Sequence, residues 1–278
     1  MKNLRLLGIA LMATLLSVGI ASCGGSNDDP TNNVKPTPSD NPSPAPTPSP
    51  SGDNNLSKKL KKMSSSSQKY GKIADIQFTY NNNDGKLVQV KYHSLLEHGQ
   101  PTTDINIVYQ DDKIVIKGEF DHDETYPLSN GLITEAYDKE REETSKLAVS
   151  YDGSGYISSA SKEGQNHKFT WSNGNMIEEN YNGGDEITKI EYTDYQWPTG
   201  LIFYDDIRYT KFRDYWWYLG AGGYWGKRPK NLPKSFKSDD ETAELKWTVS
   251  NNYPTMVEIQ CYYHGKLDYE CTVTFEWE

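Results

Sequence analysis

Catalytic residue patterns are missing from this chain. Its 278 residues include five histidines, which are scattered, and three cysteines. There is no G-x-S-x-G elbow, no H-E-x-x-H pair, no P-loop and no dinucleotide fingerprint. The sequence therefore nominates no reaction, and we expect neither an enzyme nor a cofactor. The net charge of −10 also argues against nucleic acid as a partner, because phosphate binding needs a basic surface.

A metal site is also poorly supported. The nearest candidate is 121-DHDE-124, where three carboxylates surround His122. Its spacing matches no established calcium or zinc loop. A solvated turn accounts for the segment without a ligand, so we expect no metal there.

Long apolar runs are confined to the N-terminus. Residues 1–22 combine Lys2 and Arg5 with a short apolar stretch, which is the pattern of a secretory signal peptide. The stretch ends in 20-IASC-23, which resembles a lipobox and implies cleavage before Cys23 and lipidation of that cysteine. The alternative is an ordinary signal peptide followed by an unmodified cysteine. The acidic cluster in 24-GGSNDDP-30 resembles the signal that sends lipoproteins of some Gram-negative bacteria to the outer face of the outer membrane.

Residues 23–55 are predicted to form a disordered tether. Prolines recur from Pro30 to Pro50 among Ser, Thr, Asn and Asp, and such a segment cannot bury enough apolar surface to fold. At ~3.1 Å per residue, an extended chain of this length reaches on the order of 100 Å. We expect it to hold a single domain, residues 56–278, clear of the membrane.

The sequence of the domain predicts an all-β antiparallel meander of hairpins. Alternating apolar runs end in an aromatic residue, pass through Asn, Asp, Ser or Gly, and then resume, most clearly in 76–92, 105–120, 147–160 and 168–181. Tight hairpin turns need positive φ, which Gly and Asn tolerate. Residues 244–278 add three strands, with turns at Asn251-Asn252 and His264-Gly265.

Two segments depart from the hairpin pattern. The basic stretch 56–72 fits an edge strand guarded by lysines, and alternatively a patch for anionic glycans or lipid headgroups. In 201–223, Asp205 or Asp206 can begin a short helix that 220-GAGG-223 ends. We therefore expect one short helix and loop insertion near residues 205–233.

The aromatic run 215-YWWYLGAGGYWGKRPKNLP-233 is the strongest candidate for a functional surface. It can plug one end of the curved sheet, stack on sugar rings, or dock a protein partner, since Trp, Tyr and Arg dominate such contacts. The plug is the reading we favour. Neighbouring Trp216 and Trp217 cannot point the same way, so at least one is expected in the core. The candidate binding residues are Tyr215, Trp216, Trp217, Tyr224, Trp225, Lys227 and Arg228.

The signal peptide, the hairpin pattern and 221-AGGYWGKRPKNLPKS-235 together resemble a family of uncharacterised bacterial lipoprotein domains described as having a porin-like fold. The most specific element is Gly226, Lys227, Asn231, Leu232 and Pro233. Segment 151-YDGSGYI-157 is also distantly similar to the Tyr-Asp repeats of large secreted shell proteins. The resemblance implies a meander curled into a barrel-like or half-barrel sheet, and it implies no activity. A mean hydropathy of −0.80 and charged alternate strand positions favour a soluble sheet over a membrane pore.

Cys261 and Cys271 flank the hairpin that turns near Gly265. If the strand register places them opposite each other, they can form a cross-strand disulfide in the oxidising cell envelope. Otherwise they are two thiols on adjacent strands. A sequence does not define hairpin register to one residue, so both arrangements stay open here.

These patterns predict a surface lipoprotein of a Gram-negative outer membrane that binds rather than catalyses. The leading expectation is a binding or accessory module for glycan or another envelope component, held to the membrane through the lipid on Cys23. The alternative is a structural or assembly lipoprotein that binds an envelope protein. A glycan-active hydrolase ranks third, because no group of residues suggests its mechanism.

Overall fold

Antiparallel strands make up nearly all of the described chain. The computed structural model describes residues 58–94, 102–118, 123–140, 143–162, 164–202, 217–220 and 222–278, which lie in one compact unit, Thr47–Glu278. The strands are β1 (Leu60–Ser67), β2 (Gly71–Tyr80), β3 (Leu87–Ser94), β4 (Thr103–Tyr109), β5 (Lys113–Lys117), β6 (Glu124–Ser129), β7 (Leu132–Ile133), β8 (Glu135–Glu140), β9 (Glu143–Tyr151), β10 (Ile157–Lys162), β11 (Gln165–Ser172), β12 (Asn175–Tyr181), β13 (Glu186–Gln196), β14 (Asn231–Lys237), β15 (Glu241–Ser250), β16 (Tyr253–Tyr263) and β17 (Lys266–Trp277). One short helix, α1 (Trp217–Gly220), lies between β13 and β14.

The strands form a nearly closed barrel in chain order. Each pairs with the next except β7 with β8, and β17 pairs with β1, with Phe275 opposite Met63. Only Thr134 separates β7 from β8, so the two act as one strand and the barrel has sixteen. The barrel is least complete beside β6, where the ladder to β7 joins only two residue pairs. The predicted antiparallel meander curled into a barrel is therefore confirmed.

The hairpins follow the predicted turn residues. The four clearest sequence repeats form β2–β3, β4–β5, β9–β10 and β11–β12. In the β15–β16 turn, Asn251 and Asn252 have φ of 51° and 66°. In the β16–β17 turn, His264 and Gly265 have φ of 47° and 73°. Two successive positive φ values let a two-residue turn match the twist of its strands, which explains this choice of residues.

The two faces of the sheet differ in polarity. In β15, buried Ala243, Leu245 and Trp247 alternate with exposed Glu244 and Lys246. The neighbouring strands β16 and β17 alternate in the same way. A membrane-spanning barrel carries its apolar band on the outside. Here the apolar side chains lie on the buried face, and charged side chains lie on the exposed one.

The expected edge strand at 56–72 was wrong in one respect. Strand β1 does form, but it has β2 on one side and β17 on the other, so it has no free edge. Its lysines lie on the wall of the barrel, where Lys62 lies 3.5 Å from Asp75. Closure depends on a strand far along the chain, which the local pattern cannot reveal.

The predicted helix is present as a single turn. α1 ends at Gly220, within the glycine-rich segment expected to end it, whereas Asp205 and Asp206 lie outside the described residues. No helix in the described part of the chain is long and apolar enough to cross a membrane.

Aromatic side chains brace one end of the barrel in a repeated way. Near the end of alternate strands, a Tyr hydroxyl or Trp indole donates a hydrogen bond to a backbone carbonyl near the start of the preceding strand. The donors and acceptors are Tyr80 to Leu60, Tyr109 to Leu87, Tyr151 to Ile133, Trp171 to Ile157, Tyr192 to Met176, Trp247 to Pro233 and Trp277 to Pro254. Each bond contributes about 1 kcal/mol to folding. The aromatic residue before each turn is therefore part of the barrel's architecture.

Candidate binding site at the plugged end

The candidate site lies at the barrel end that carries these aromatic residues, which we call the plugged end. The turns β2–β3, β4–β5, β9–β10, β11–β12 and β15–β16 lie there, because the strands alternate in direction around the barrel. The connection from β13 to β14 belongs to the same end. Within this connection, which also contains α1, we call residues 197–202 and 222–230 the plug.

The plug reaches strands on different sides of the barrel. Tyr224 accepts a hydrogen bond from the Ile133 amide at 2.8 Å, and the Lys227 amide donates to Gly155 in the β9–β10 turn at 2.8 Å. The Lys230 amide donates to Gly174 in the β11–β12 turn at 2.9 Å. At Gly200, an added Cβ would lie 2.9 Å from the Lys58 carbonyl oxygen, which places the plug against the start of β1 as well. The segment therefore lies across this end of the barrel.

Apolar plug residues enter the core. Leu201 and Ile202 are fully buried, and Trp225 is 7% exposed. Arg228 joins the two legs of the plug, because its Nη1 donates to the Leu201 carbonyl and its guanidinium lies over the Trp197 ring, 4.9 Å from the centroid. These contacts favour the interpretation of the aromatic run as a plug that fills this end of the barrel.

The predicted binding residues have different surroundings. Tyr224 is half-buried and stacks on Tyr109 with 5.5 Å between ring centroids. Trp225 is buried and Arg228 is half-buried in the contacts just described, whereas Lys227 is exposed. Trp217 lies in α1, but its side chain is outside the described residues, as are Tyr215 and Trp216. Within the described residues, the aromatic side chains of the run are thus mainly structural, and Lys227 is the exposed one among the predicted binding residues.

The Gly-Lys…Asn-Leu-Pro element carries the plug back into the barrel wall. Gly226 has φ of +83° and faces the Tyr151 ring and the Gly155 carbonyl too closely for a side chain. The Asn231 backbone amide donates to the Asn175 Oδ1, and the Asn175 Nδ2 donates to the Asn231 Oδ1. Leu232 is fully buried, and the next residue provides the carbonyl that Trp247 binds. This element therefore has a structural reason to recur wherever the plug is built in this way.

Exposed Lys227 lies beside an aromatic pair from two neighbouring hairpins. Tyr156 and Trp171 have ring centroids 4.4 Å apart, and the Lys227 Nζ lies 5.4 Å from the Tyr156 centroid. Both rings are half-buried, and exposed Lys230 packs over Gly174 near the Tyr156 hydroxyl. We call Tyr156, Trp171, Lys227 and Lys230 the rim site.

The fold fixes the rim site from below. Asp152 accepts hydrogen bonds from the amides of Ser154 and Tyr156, at 2.8 and 2.9 Å, and these bonds hold the β9–β10 turn. The Trp171 indole is tied to Ile157 at 2.7 Å. Rings held in this way lose little conformational entropy when a ligand stacks on them, which favours binding.

Burial controls the ionisation of the tyrosines at this end. Burial raises the pKa of Tyr109 and Tyr151 far above the usual value of 10, and it also raises the pKa of Tyr224. These hydroxyls therefore stay protonated at neutral pH. Tyr109 and Tyr151 accordingly act as hydrogen-bond donors to backbone carbonyls.

The other candidates do not form a site within the described residues. Asp123 is exposed and pairs with Lys117 at 3.1 Å, while Glu124 is buried and accepts a hydrogen bond from Tyr126; Asp121 and His122 lie outside the described residues. No group of three metal-ligating side chains converges in the part of the chain that the structure describes. A buried His167–Glu179 pair, 2.6 Å apart, lies between β11 and β12.

The two cysteines are not opposite each other. Cys261 faces Tyr269 and Cys271 faces Ile259, so the pair is offset by two residues on the same face of the sheet. Residues in this diagonal relation lie about 7–8 Å apart, which is beyond the usual reach of a disulfide. The register therefore favours the arrangement as two thiols on adjacent strands.

Sequence reasoning missed Tyr156 and Trp171 as site residues. Both were visible as aromatic residues flanking hairpin turns, in 147–160 and 168–181. The available signal was strand direction. Consecutive strands of a meander run in opposite directions, so every second turn along the chain lies at the same end. That rule brings these turns to the same end as the β13–β14 connection that carries Lys227.

Comparison with known proteins bears on the fold. No family profile matches the chain, and no curated protein matches it. Among solved structures, a porin-like protein from Bacteroides uniformis has a TM-score of 0.58 at 16% identity, covering 79% of this chain and 96% of that one. A porin-like protein from Bacteroides vulgatus has a TM-score of 0.49 at 13% identity, covering 80% and 99%. The first likeness supports the porin-like fold, while membership of the lipoprotein family remains a prediction.

Proposed function

We propose that this protein is a non-catalytic glycan-binding lipoprotein of the bacterial envelope, and that the rim site contacts the sugar. The observation that carries the proposal is the adjacent, half-exposed Tyr156–Trp171 pair with Lys227 beside it. Rigid aromatic faces suit the apolar faces of sugar rings. Lysine ammonium groups donate hydrogen bonds to hydroxyls and carboxylates.

The location of the site fits a binding role. The rim site lies at the surface, where a polymer has access, and its rings are held by the barrel rather than by the ligand. The likeness to a porin-like protein supports placement in the envelope, and the lipobox-like 20-IASC-23 supports lipid anchoring through Cys23. Surface exposure rests on the acidic cluster that follows Cys23.

The test is a binding screen of the full-length protein, purified in mild detergent, against neutral and acidic polysaccharides. Tyr156→Ala and Lys227→Gln should each weaken binding at least tenfold, which corresponds to about 1.4 kcal/mol. Tyr263→Ala is the matched control, because Tyr263 is 44% exposed and lies at the opposite end. Circular dichroism checks that each variant is folded. Unchanged affinity in both rim-site variants would refute the proposal.

A protein partner is the second candidate, and one observation favours it. The end opposite the plug exposes Tyr70, Tyr263 and Leu267, which are 42%, 44% and 51% exposed. Tyrosine is enriched at protein contacts, and an exposed apolar side chain such as Leu267 can add to one. If the polysaccharide screen finds no ligand, cross-linking on intact cells with wild type and Leu267→Ser tests this surface instead. Loss of one specific cross-linked band in Leu267→Ser would support it.

A further inference from the structure

A second group at the plugged end has ring and cation distances similar to those of the rim site, with a steeper angle between the two rings, 61° against 31°. Tyr253 and Trp277 have ring centroids 4.8 Å apart, and the Lys58 Nζ lies 5.3 Å from the Tyr253 centroid. The Lys58 amide also donates to the Tyr253 hydroxyl at 3.1 Å. In the rim site, the corresponding ring and cation distances are 4.4 and 5.4 Å. We call Lys58, Tyr253 and Trp277 the second site.

The two groups arise from the same structural repeat. In each, a bracing tryptophan donates its hydrogen bond to a carbonyl near the start of the preceding strand. The residue directly before that carbonyl's residue is a tyrosine, and its ring packs against the tryptophan. Tyr156 packs on Trp171 in one hairpin pair, and Tyr253 packs on Trp277 in the other. Because the fold generates both, they face the same end of the barrel.

The fold does not require tyrosine at this position. In two other repeats the equivalent residue is lysine, with Lys59 Nζ 5.2 Å from the Tyr80 centroid and Lys86 Nζ 4.9 Å from the Tyr109 centroid. A lysine stem and ammonium cover the bracing ring adequately there. The Tyr–Trp pairs therefore need another explanation, and presentation of two adjacent rings to a ligand provides one.

The charge at the two sites defines the class of ligand. Lys58, Lys227 and Lys230 are exposed, and none of them has a carboxylate within ion-pair distance among the described residues. In a chain of net charge −10, lysines without an ion-pair partner at one end favour an anionic ligand. Exposed acidic residues lie at the same end as well, among them Asp84, Asp111, Asp152, Asp194 and Glu278. The lysines therefore act on a ligand locally, at the two aromatic pairs, and not through a positive end of the barrel.

The separation of the sites defines the ligand's length. From β11 to β16 there are five steps between paired strands, and at ~4.8 Å a step the sites lie about 24 Å apart along the sheet. A short oligosaccharide can occupy one site only. A polymer can occupy both, and its second contact is then intramolecular, which multiplies the affinity.

We propose that the plugged end binds an acidic polysaccharide at two points, the rim site and the second site. This rests on the glycan-binding function proposed for the rim site and adds the second site, the ligand's charge and its polymeric length. A membrane surface with anionic lipids offers similar charge. The polysaccharide is favoured because Lys58 and Lys227 each lie beside a tyrosine ring that packs on a tryptophan, and such rings suit sugar faces.

The experiment titrates the full-length protein in detergent with polygalacturonate, its trisaccharide fragment and a neutral glucan. Polygalacturonate should bind at least 10²-fold more tightly than the fragment, as expected for two linked contacts. The second-site double variant Lys58→Gln/Tyr253→Ala should lower polymer affinity to near that of the fragment, while the fragment still binds at the rim site. Tyr253→Phe, which keeps the ring, should behave like the wild type.

The matched control is Lys266→Gln/Tyr263→Ala, which makes the same charge change and removes an exposed ring at the opposite end. It should bind all three ligands as the wild type does. Full polymer affinity in the folded second-site variant would overturn the two-point proposal, and so would equal binding of the neutral glucan. Both results leave the proposed rim-site function intact. No binding to any glycan, with binding to anionic vesicles instead, would reject both.

Discussion

A pair of glycine substitutions tests whether the plug is packed as described. Gly226 has φ of +83°, and an added Cβ would lie 2.6 Å from the Gly155 carbonyl oxygen and 2.9 Å from a Tyr151 ring carbon. Gly223 has φ of +75°, and an added Cβ there would meet nothing within 4 Å. The two positions share the backbone strain and differ in the contact.

The magnitudes follow from that difference. Placing alanine at positive φ costs about 1–2 kcal/mol, partly offset by about 0.4–1 kcal/mol from the stiffer unfolded chain. Gly223→Ala should therefore lower the free energy of unfolding by about 1 kcal/mol. Gly226→Ala also forces the plug off the β9–β10 turn and breaks the Lys227 amide bond to Gly155, so its total loss should be about 3 kcal/mol.

Urea denaturation followed by tryptophan fluorescence gives the two free energies, and hydrogen exchange read by mass spectrometry reports on residues 222–230. Gly226→Ala should lose stability and exchange faster in that segment, whereas Gly223→Ala should show little local change. If the two variants lose the same stability and exchange alike, the plug does not pack on the turn. The structural reading of the aromatic run would then fail.

Three further predictions address the bracing aromatics, alkaline stability and the anchor. Tyr151→Phe removes the hydroxyl that donates to the Ile133 carbonyl and should lower the free energy of unfolding, measured by urea denaturation, by about 1 kcal/mol. The control Tyr263→Phe changes an exposed tyrosine and should lower it by almost nothing. Equal losses in the two variants would contradict the bracing role. Burial raises the pKa of Tyr80, Tyr109 and Tyr151 in the folded chain, so the unfolded chain loses these protons first and stability should fall as pH rises above about 10. A cooperative phase of tyrosinate absorbance should then accompany unfolding, and the absence of such a phase would contradict this. Cys23→Ala should release the protein from membranes into the soluble fraction on cell lysis, and retention in the pellet would disprove lipid anchoring.

The local parts of the fold were predictable from the sequence. Turn residues such as Asn251 and Gly265 report a backbone requirement that involves only their neighbours, so the hairpins and their positions followed directly. The aromatic residue before each turn was recognised as a repeat. Its role was not, because the carbonyl it binds belongs to the preceding strand, and a strand-to-strand contact needs the register.

The non-local parts were not predictable. Strand β1 looked like an edge because its partner β17 lies at the other end of the chain. The cysteine pairing depended on register, which a one-residue bulge beside Cys261 shifts. The rim site combines Lys227 with Tyr156 from a distant hairpin, so no sequence window contains it. Lys227 was nevertheless among the candidate residues named from the sequence, because it lies in the aromatic run whose glycines and prolines mark the plug segment.

The predicted tether and the position of the site have a joint consequence. The described chain begins at Lys58, at the plugged end, which also carries the proposed binding sites. If the protein is anchored through Cys23, a short connection to Lys58 would hold those sites close to the membrane. Deleting residues 31–50 shortens an extended tether by about 60 Å, at ~3.1 Å per residue. We expect this deletion to weaken polysaccharide binding on intact cells and to leave binding in detergent unchanged.

Replacing the same residues with a Gly/Ser segment of equal length should restore cell-surface binding, since reach rather than sequence matters. Equal cell-surface binding with and without the deletion would show that the sites do not face the anchor.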